Sequence, residues 1–224
     1  MRTTERYARR TRWLHAAIYL LTFLLLATGA WLLLGKEGTP SALARIASTS
    51  DVVLHERLGW ALSVVAAAGI AIGWRGSLTY VADSVHYDRA DAAWLARWPR
   101  AAFSGRFGHH EGHFDPGQKI ANLVLAALLI ALIASGAGLA LVGGGTAFVV
   151  LLKVHRWSTY ALTPVVVGHV IVASGIVPGY RGVWRSMHWR GRVPEDTARR
   201  LWPAWAESRF NPAPTSLPRN PRTD

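Results

Sequence analysis

The sequence predicts an all-α membrane protein, a bundle of four transmembrane helices with both chain termini in the cytoplasm. Hydrophobic residues make up 51% of the 224, and they segregate into four long apolar blocks. Each block approaches the about 20 residues that a helix needs to cross a bilayer. Arg and Lys concentrate in alternate connections between these blocks. Cysteine is absent, so disulfides, iron–sulfur clusters and thiolate metal sites on this chain are excluded.

The four apolar blocks set the predicted domain organisation. Together they form a transmembrane domain at residues 13–177, and the glycine run at 143–146 predicts a tight turn before the last span. The predicted spans are 13–34, 52–74, 120–142 and 148–177. The other segments are a basic tail at 1–12, a long loop at 75–119 and a second basic tail at 178–224, whose Pro-containing end is predicted to be disordered.

The positions of the basic residues predict the orientation. Twenty of the 25 Arg and Lys fall in the two tails and the long loop, and only five lie in or beside the opposite connections. By the positive-inside rule, both termini and the long loop face the cytoplasm, as in a multi-pass protein of a bacterial inner membrane. The net charge of +12 could also suit nucleic acid. However, no aromatic–basic binding module accompanies it, so we expect membrane lipid as the partner.

Four histidines fall within the predicted spans. His155 and His169 lie fourteen positions apart on the fourth span, which places them on one helix face and about 21 Å apart along the axis. His15 lies near the cytoplasmic end of the first span, and His55 lies near the outer end of the second. The depths therefore pair His15 with His169 and His55 with His155.

Two imidazoles facing each other at one depth would fill both axial positions of a haem iron. Without cysteine the haem would be held non-covalently, so the sequence predicts two haem b groups. Zinc would require three or four protein ligands at each depth. Three other interpretations are that the histidines are polar contacts between helices, that they form the proton relay of a transporter, or that the chain is a membrane anchor without a cofactor. The absence of inverted symmetry among the four spans argues against a transporter.

Glycines and arginines near the histidines are further candidates. Gly29 follows His15 by fourteen residues and Gly69 follows His55 by fourteen, so each would lie on a histidine face at the depth of the other haem. There a missing side chain would let a porphyrin approach, with ordinary helix packing as the alternative. Arginines that could contact haem propionates, or simply reach the membrane interface, are Arg12, Arg57 and Arg156.

With these features the chain resembles the gamma, cytochrome b556-type subunit of membrane-bound formate dehydrogenases, within the wider family of dihaem cytochrome b subunits. The resemblance covers nearly the whole length and includes one histidine in each of the first two spans and the pair on the fourth. The segment Phe114-Asp115-Pro116-Gly117-Gln118-Lys119 is similar to the family's aromatic-Asn-x-Gly-Gln-Lys motif. Gly191-Arg192-Val193 and Trp202-Pro203-Ala204-Trp205 are similar to its Gly-x-Val and His-Pro-x-Trp segments. Two departures are Asp115 for Asn, and Leu201-Trp202 for paired histidines.

The resemblance implies a partner complex, a cofactor set and a substrate. The partners would be an iron–sulfur beta subunit and a molybdenum or tungsten catalytic alpha subunit outside the membrane, so this chain itself would carry no formate chemistry. Electrons would pass to the outer haem, then to the inner haem, then to a quinone, either menaquinone or ubiquinone. The implied quinone site is formed by Asp115, Gly117 and Gln118. Hydrogenase and thiosulfate-reductase cytochromes share the histidine pattern and remain the alternative.

Two groups in and beside the long loop have simpler interpretations as well. Asp115 could relay a proton to the quinone, or it could cap the third span with Pro116 at the first helical position. His109, His110 and His113 could bind a divalent metal or shuttle protons, or they could be solvated loop residues.

Overall fold

A computed structural model describes residues 2–35 and 39–212, and this part of the chain is mostly helical. Short 3-10 turns and a two-stranded sheet complete it. The α-helices are α1 (Arg9–Leu33), α2 (Ala42–Ile46), α3 (Asp51–Ile72), α4 (Trp74–Val85), α5 (Arg89–Ser104), α6 (Pro116–Leu141), α7 (Gly145–Ala173), α8 (Glu195–Leu201) and α9 (Pro203–Phe210). The strands are β1 (Thr3–Glu5) and β2 (Arg192–Pro194), and the 3-10 turns are Pro178–Tyr180, Val183–Ser186 and Trp189–Gly191.

Three helices, α1, α3 and α6, are each long and apolar enough to cross a membrane. The number of candidate crossings becomes four when α7 is counted together with the 3-10 turns that follow it, which bend by 62° relative to the helix. In the bundle, α1 packs against α3, α6 packs against α7, and α3 also contacts α6. The prediction of an all-α, membrane-spanning helical bundle is therefore confirmed.

Polar residues cap two helices whose starts lie in the segment that the sequence predicted as a long loop. The third membrane helix begins at Pro116 rather than 120, since the Oδ1 atom of Asp115 accepts the backbone N–H of Gln118 at 2.8 Å. The long loop predicted at 75–119 contains α4 and α5, and Asp88 with Asp91 forms a reciprocal capping box at the start of α5.

The two segments that the sequence assigned to basic tails fold together at one end of the bundle. Strand β1 pairs antiparallel with β2, so Thr3 lies opposite Pro194 and Glu5 opposite Arg192. Both ends of the described chain therefore lie on the same side of the bundle. The predicted disordered end is outside the described residues, apart from Asn211 and Pro212.

We call residues 2–8, 74–115 and 178–212 the cap. Its apolar core joins the end of α5 to the carboxyl-terminal segment and is built from Ala102, Tyr180, Val193, Ala198, Leu201, Trp202, Ala206 and Phe210. The guanidinium of Arg6 lies over the rings of Trp202 and Trp205, at 4.6 and 4.4 Å from their centroids. The described part of 178–224 is thus a folded layer that packs against α5.

Candidate functional site

The bundle brings the four membrane histidines together in two pairs. The ring centroids of His15 on α1 and His169 on α7 lie 6.4 Å apart. Those of His55 on α3 and His155 on α7 lie 6.2 Å apart. Tyr19, one turn after His15, contacts the ring of His188 in the cap, so we call His15–His169 the cap-proximal pair and His55–His155 the cap-distal pair.

The ring separations fit a metal bound between two imidazoles. An imidazole nitrogen coordinates a transition metal at about 2.0 Å and lies roughly 1.1 Å from its ring centre, so two rings on opposite sides of one ion have centroids about 6.2 Å apart. The two pairs, at 6.2 and 6.4 Å, match this value. Within the described residues no cluster of three or more His, Cys, Asp or Glu could hold a metal. The donor sets therefore suit a haem iron with two axial imidazoles and do not suit zinc.

The cap-distal pair has hydrogen bonds that the cap-proximal pair lacks. The Nδ1 atom of His55 lies 2.8 Å from the hydroxyl of Thr28 on α1, and that of His155 lies 3.0 Å from the hydroxyl of Ser135 on α6. These bonds occupy one nitrogen of each ring and leave Nε2 for a metal. In the described part of the chain, the side chains of His15 and His169 have no hydrogen bond.

Two glycines lie directly against the cap-distal rings. A Cβ atom at Gly29 would lie 3.3 Å from Cε1 of His55, and one at Gly136 would lie 3.3 Å from Cε1 of His155. The fourteen-residue spacing singled out Gly29, but sequence reasoning missed Gly136. The sequence does contain a feature common to both glycines, because each directly follows a hydroxyl residue within an apolar run.

The second predicted glycine has a different neighbour. A Cβ atom at Gly69 would lie only 2.6 Å from Cδ2 of Leu14, so this glycine lets α3 approach α1. Its contact is the helix packing that the sequence left as the alternative.

The three candidate arginines divide into two groups. Arg57 and Arg156 are exposed, and the side chain of neither has a hydrogen bond or ion pair within the described part of the chain. Arg12 forms an ion pair with Glu5 at 2.6 Å and donates to the carbonyl of Tyr7, so it joins α1 to the segment before it. Arg57 and Arg156 are therefore available for an anionic group beside the cap-distal pair, whereas Arg12 already has a carboxylate.

Gly117 and Gln118 lie in the first turn of α6 and contact the cap. The side chain of Gln118 donates to the Tyr7 hydroxyl at 3.0 Å and accepts from the indole nitrogen of Trp202 at 3.3 Å. A Cβ atom at Gly117 would lie 3.4 Å from the ring of Trp94. Both residues therefore join the membrane helix α6 to the cap.

Asp115, immediately before α6, is buried, with 5% of its surface exposed. Burial raises the pKa of its carboxyl, opposed by the backbone N–H of Gln118 and by the neighbouring His110 and Arg6. The capping role expected for Asp115 is present, and the carboxyl can also hold a proton above the usual range for aspartate.

The three loop histidines do not converge on one point. His109 is exposed and forms a pair with Glu111 at 2.6 Å. His110 is buried, and its Nε2 atom donates to the carbonyl of Leu201 at 2.9 Å. His113 contacts Arg6, and burial together with that cation lowers the pKa of His113 to about 4. No metal site is formed by them.

A comparison with protein families identifies the chain. The family model for prokaryotic cytochrome b561 matches residues 6–190, which include the four membrane histidines and most of the cap. No curated protein sequence matches the chain significantly. The family binds haem b, in agreement with the ring separations of the two pairs. The chain belongs to the prokaryotic cytochrome b561 family and is a membrane-bound b-type cytochrome for electron transfer.

Proposed function

We propose that this chain is the dihaem subunit of a formate dehydrogenase-type complex and that it passes electrons across the membrane to a quinone. The observation that carries the proposal is the presence of two histidine pairs at two depths, both built on α7. Each pair would hold one haem b through both axial positions, with His55 and His155 at one haem and His15 and His169 at the other. Haem supplies one-electron oxidation and reduction. The protein supplies the two binding positions and the distance between them.

Charge and topology support the orientation. The pairing of β1 with β2 keeps both described chain ends on the cap side, and the described parts of the tails and the long loop, which contribute to this side, hold 18 basic residues. The positive-inside rule then places the cap in the cytoplasm of a bacterial cell. The cap-distal pair is accordingly at the outer face of the inner membrane, where electrons would arrive, and the cap-proximal pair is at the cytoplasmic face.

The proposed electron donor is an iron–sulfur beta subunit that receives electrons from a molybdenum or tungsten catalytic alpha subunit. Hydrogenase-type and thiosulfate-reductase-type complexes could use the same four histidines. The Gly117-Gln118-Lys119 element and the segment Trp202-Pro203-Ala204-Trp205 favour the formate dehydrogenase type, since both resemble motifs of that family.

The proposed acceptor is menaquinone or ubiquinone, reduced near the cap-proximal pair. Reduction of a quinone to a quinol takes up two electrons and two protons, so the site needs a route for protons from the cytoplasm. Asp115 is a buried carboxyl at the start of a membrane helix, and burial raises its pKa. We infer that it supplies one of these protons, with Gly117 and Gln118 forming the adjacent wall of the site.

Reduction of the haems in the intact complex by defined donors tests the assignment. The tagged chain is isolated from its native membranes with its bound partners, and the absorption bands of b-type haem are followed without oxygen. We expect formate to reduce the haems and an added quinone analogue to reoxidise them. Reduction by hydrogen but not by formate would contradict the formate assignment and favour the hydrogenase alternative. Absence of haem from the isolated chain would contradict the dihaem proposal itself.

A further inference from the structure

The two cap-distal histidines are held in the same way by two different helices. On α1, Thr28 and Gly29 contact the ring of His55, which belongs to α3. On α6, Ser135 and Gly136 contact the ring of His155, which belongs to α7. We call these two dipeptides the hydroxyl–glycine clamps.

Each clamp hydroxyl donates its only proton to a backbone carbonyl, and this fixes the direction of its hydrogen bond with the histidine. Thr28 donates its proton to the carbonyl of Leu24 at 2.9 Å, and Ser135 donates to the carbonyl of Ala131 at 2.6 Å. A hydroxyl has one proton and two lone pairs, so toward the histidine each oxygen accepts. Nδ1 of the ring therefore carries the hydrogen, and Nε2 has the free lone pair that a metal requires.

Burial of the two hydroxyl groups stabilises their hydrogen bonds with the histidines. Thr28 and Ser135 are 1% and 2% exposed, so water cannot compete for the imidazole N–H. The following glycine lies against the edge of the same ring, at a distance where even a methyl group would be tight. Each clamp thus sets both the tautomer and the orientation of one ring.

The clamps occur at only one of the two pairs. His15 and His169 have no side-chain hydrogen bond within the described residues. A metal-bound imidazole that donates its other N–H to an acceptor becomes a more basic ligand. A more basic ligand stabilises the oxidised iron and lowers the reduction potential.

We propose that Thr28-Gly29 and Ser135-Gly136 are positioning residues that orient His55 and His155 and hold the cap-distal haem at a lower potential than the cap-proximal haem. The inference rests on the proposed function, in which each pair binds one haem. Electrons that arrive at the outer face would then run downhill toward the cap, which is the direction that quinone reduction in the cytoplasmic half requires.

The test is a redox titration of the isolated complex, with the electron paramagnetic resonance signals of the oxidised haems as a second readout. Thr28→Val and Ser135→Ala each remove the hydroxyl oxygen that accepts the N–H of His55 or His155. We expect each to shift the lower potential upward, to alter the signal of that haem, and to leave the higher potential unchanged. His55→Ala, which should remove the cap-distal haem, identifies its signal. Thr28→Ser, which keeps the hydroxyl, should retain both potentials.

Ser63→Ala is the matched control. Ser63 donates to the carbonyl of Gly59 at 2.9 Å within a membrane helix, as Thr28 and Ser135 do, but has no histidine partner. We expect this variant to leave both potentials unchanged.

The results distinguish failure of the clamp proposal from failure of the proposed dihaem function. If the unaltered chain binds fewer than two haems, the proposed function fails. If it binds two, then unchanged potentials in both Thr28→Val and Ser135→Ala, or a shift confined to the other haem, overturn the clamp proposal. Loss of the cap-distal haem alone in Thr28→Val, with full retention in Thr28→Ser, supports it. Loss of both haems in Thr28→Val counts against it.

Discussion

Substitution of Lys119 by Met should destabilise the junction between the third membrane helix and the cap. The ammonium group of Lys119 lies 2.6 Å from the carboxylate of Asp91, and the two side chains are 4% and 3% exposed. Lys119 also donates to the carbonyl of His86 at 2.9 Å. This buried pair attaches the first turn of α6 to α5.

The expected loss of unfolding free energy depends on the carboxylate of Asp91, which Lys119→Met leaves buried without its partner. Removing one partner of a buried ion pair costs about 3–5 kcal/mol, because the other charge stays buried without compensation. In Lys119→Met, Asp91 keeps the backbone N–H of Asp88 at 3.2 Å. We therefore expect the lower end of this range, about 3 kcal/mol. Adding Asp91→Leu removes the stranded carboxylate, so the double variant should be less destabilised than the two single variants added together.

Unfolding of the purified protein in detergent, followed by tryptophan fluorescence, measures the effect. A loss of about 3 kcal/mol lowers the Tm of a chain of this size by roughly 6–12 °C. The control is Arg199→Met, which breaks exposed ion pairs with Glu195 and Glu207 and should lower the Tm only slightly, because water screens such pairs. If Lys119→Met costs no more than this control, or if the effects of Lys119→Met and Asp91→Leu are additive, the buried pair does not have the role we assign to it.

Three further predictions concern the quinone site, the cap-distal pair and the cap. Burial raises the pKa of Asp115, so the carboxyl keeps its proton to higher pH than an ordinary aspartate and loses it as the pH rises through that pKa. Quinone reduction should fall over this range, and Asp115→Asn, which can still cap the helix, should be slower and lose that pH dependence; an unchanged pH–rate profile would contradict the proton-donor role. Gly29→Leu should remove the cap-distal haem and leave the other, because its side chain would begin 3.3 Å from the His55 ring; full retention of both haems in the absorption spectrum would show that the ring has room to move. Gly179→Ala should lower the Tm of the protein, because the new Cβ would lie 2.6 Å from a carbonyl oxygen at the end of α5, whereas Gly76→Ala meets nothing within 4 Å; equal Tm values for the two variants would argue against the contact.

The membrane helices and the meeting of the histidines could be predicted because both depend on local properties of the chain. Hydrophobic length indicates a span, and the rise of the helix places His155 and His169 at two depths. Charge counting then matched each with a partner at its own depth, and the structure brings the same two pairs together.

The cap could not be predicted because its contacts join residues that are far apart in sequence. Thr3 lies opposite Pro194, and Arg6 lies over the ring of Trp202. The apolar residues that form the core, such as Val193 and Leu201, are scattered among arginines, so composition alone suggests a basic tail.

The hydroxyl–glycine clamps could not be predicted because their residue types alone do not indicate a function. One hydroxyl within an apolar run is compatible with a membrane helix of any function. Only the arrangement of the helices shows that Thr28 and Ser135 each face a histidine. The packing role of Gly69 against Leu14 likewise depends on which helix lies next to α3.

The haem content of the isolated chain tests the central claim most directly. Two histidine pairs predict two haem b groups per chain, measured by the absorption of the extracted haem against protein concentration. Because His155 and His169 belong to different pairs, His155→Ala and His169→Ala should each retain one haem, with different absorption and resonance signals. A single haem in the unaltered chain, or the loss of the same haem in both variants, would contradict the account.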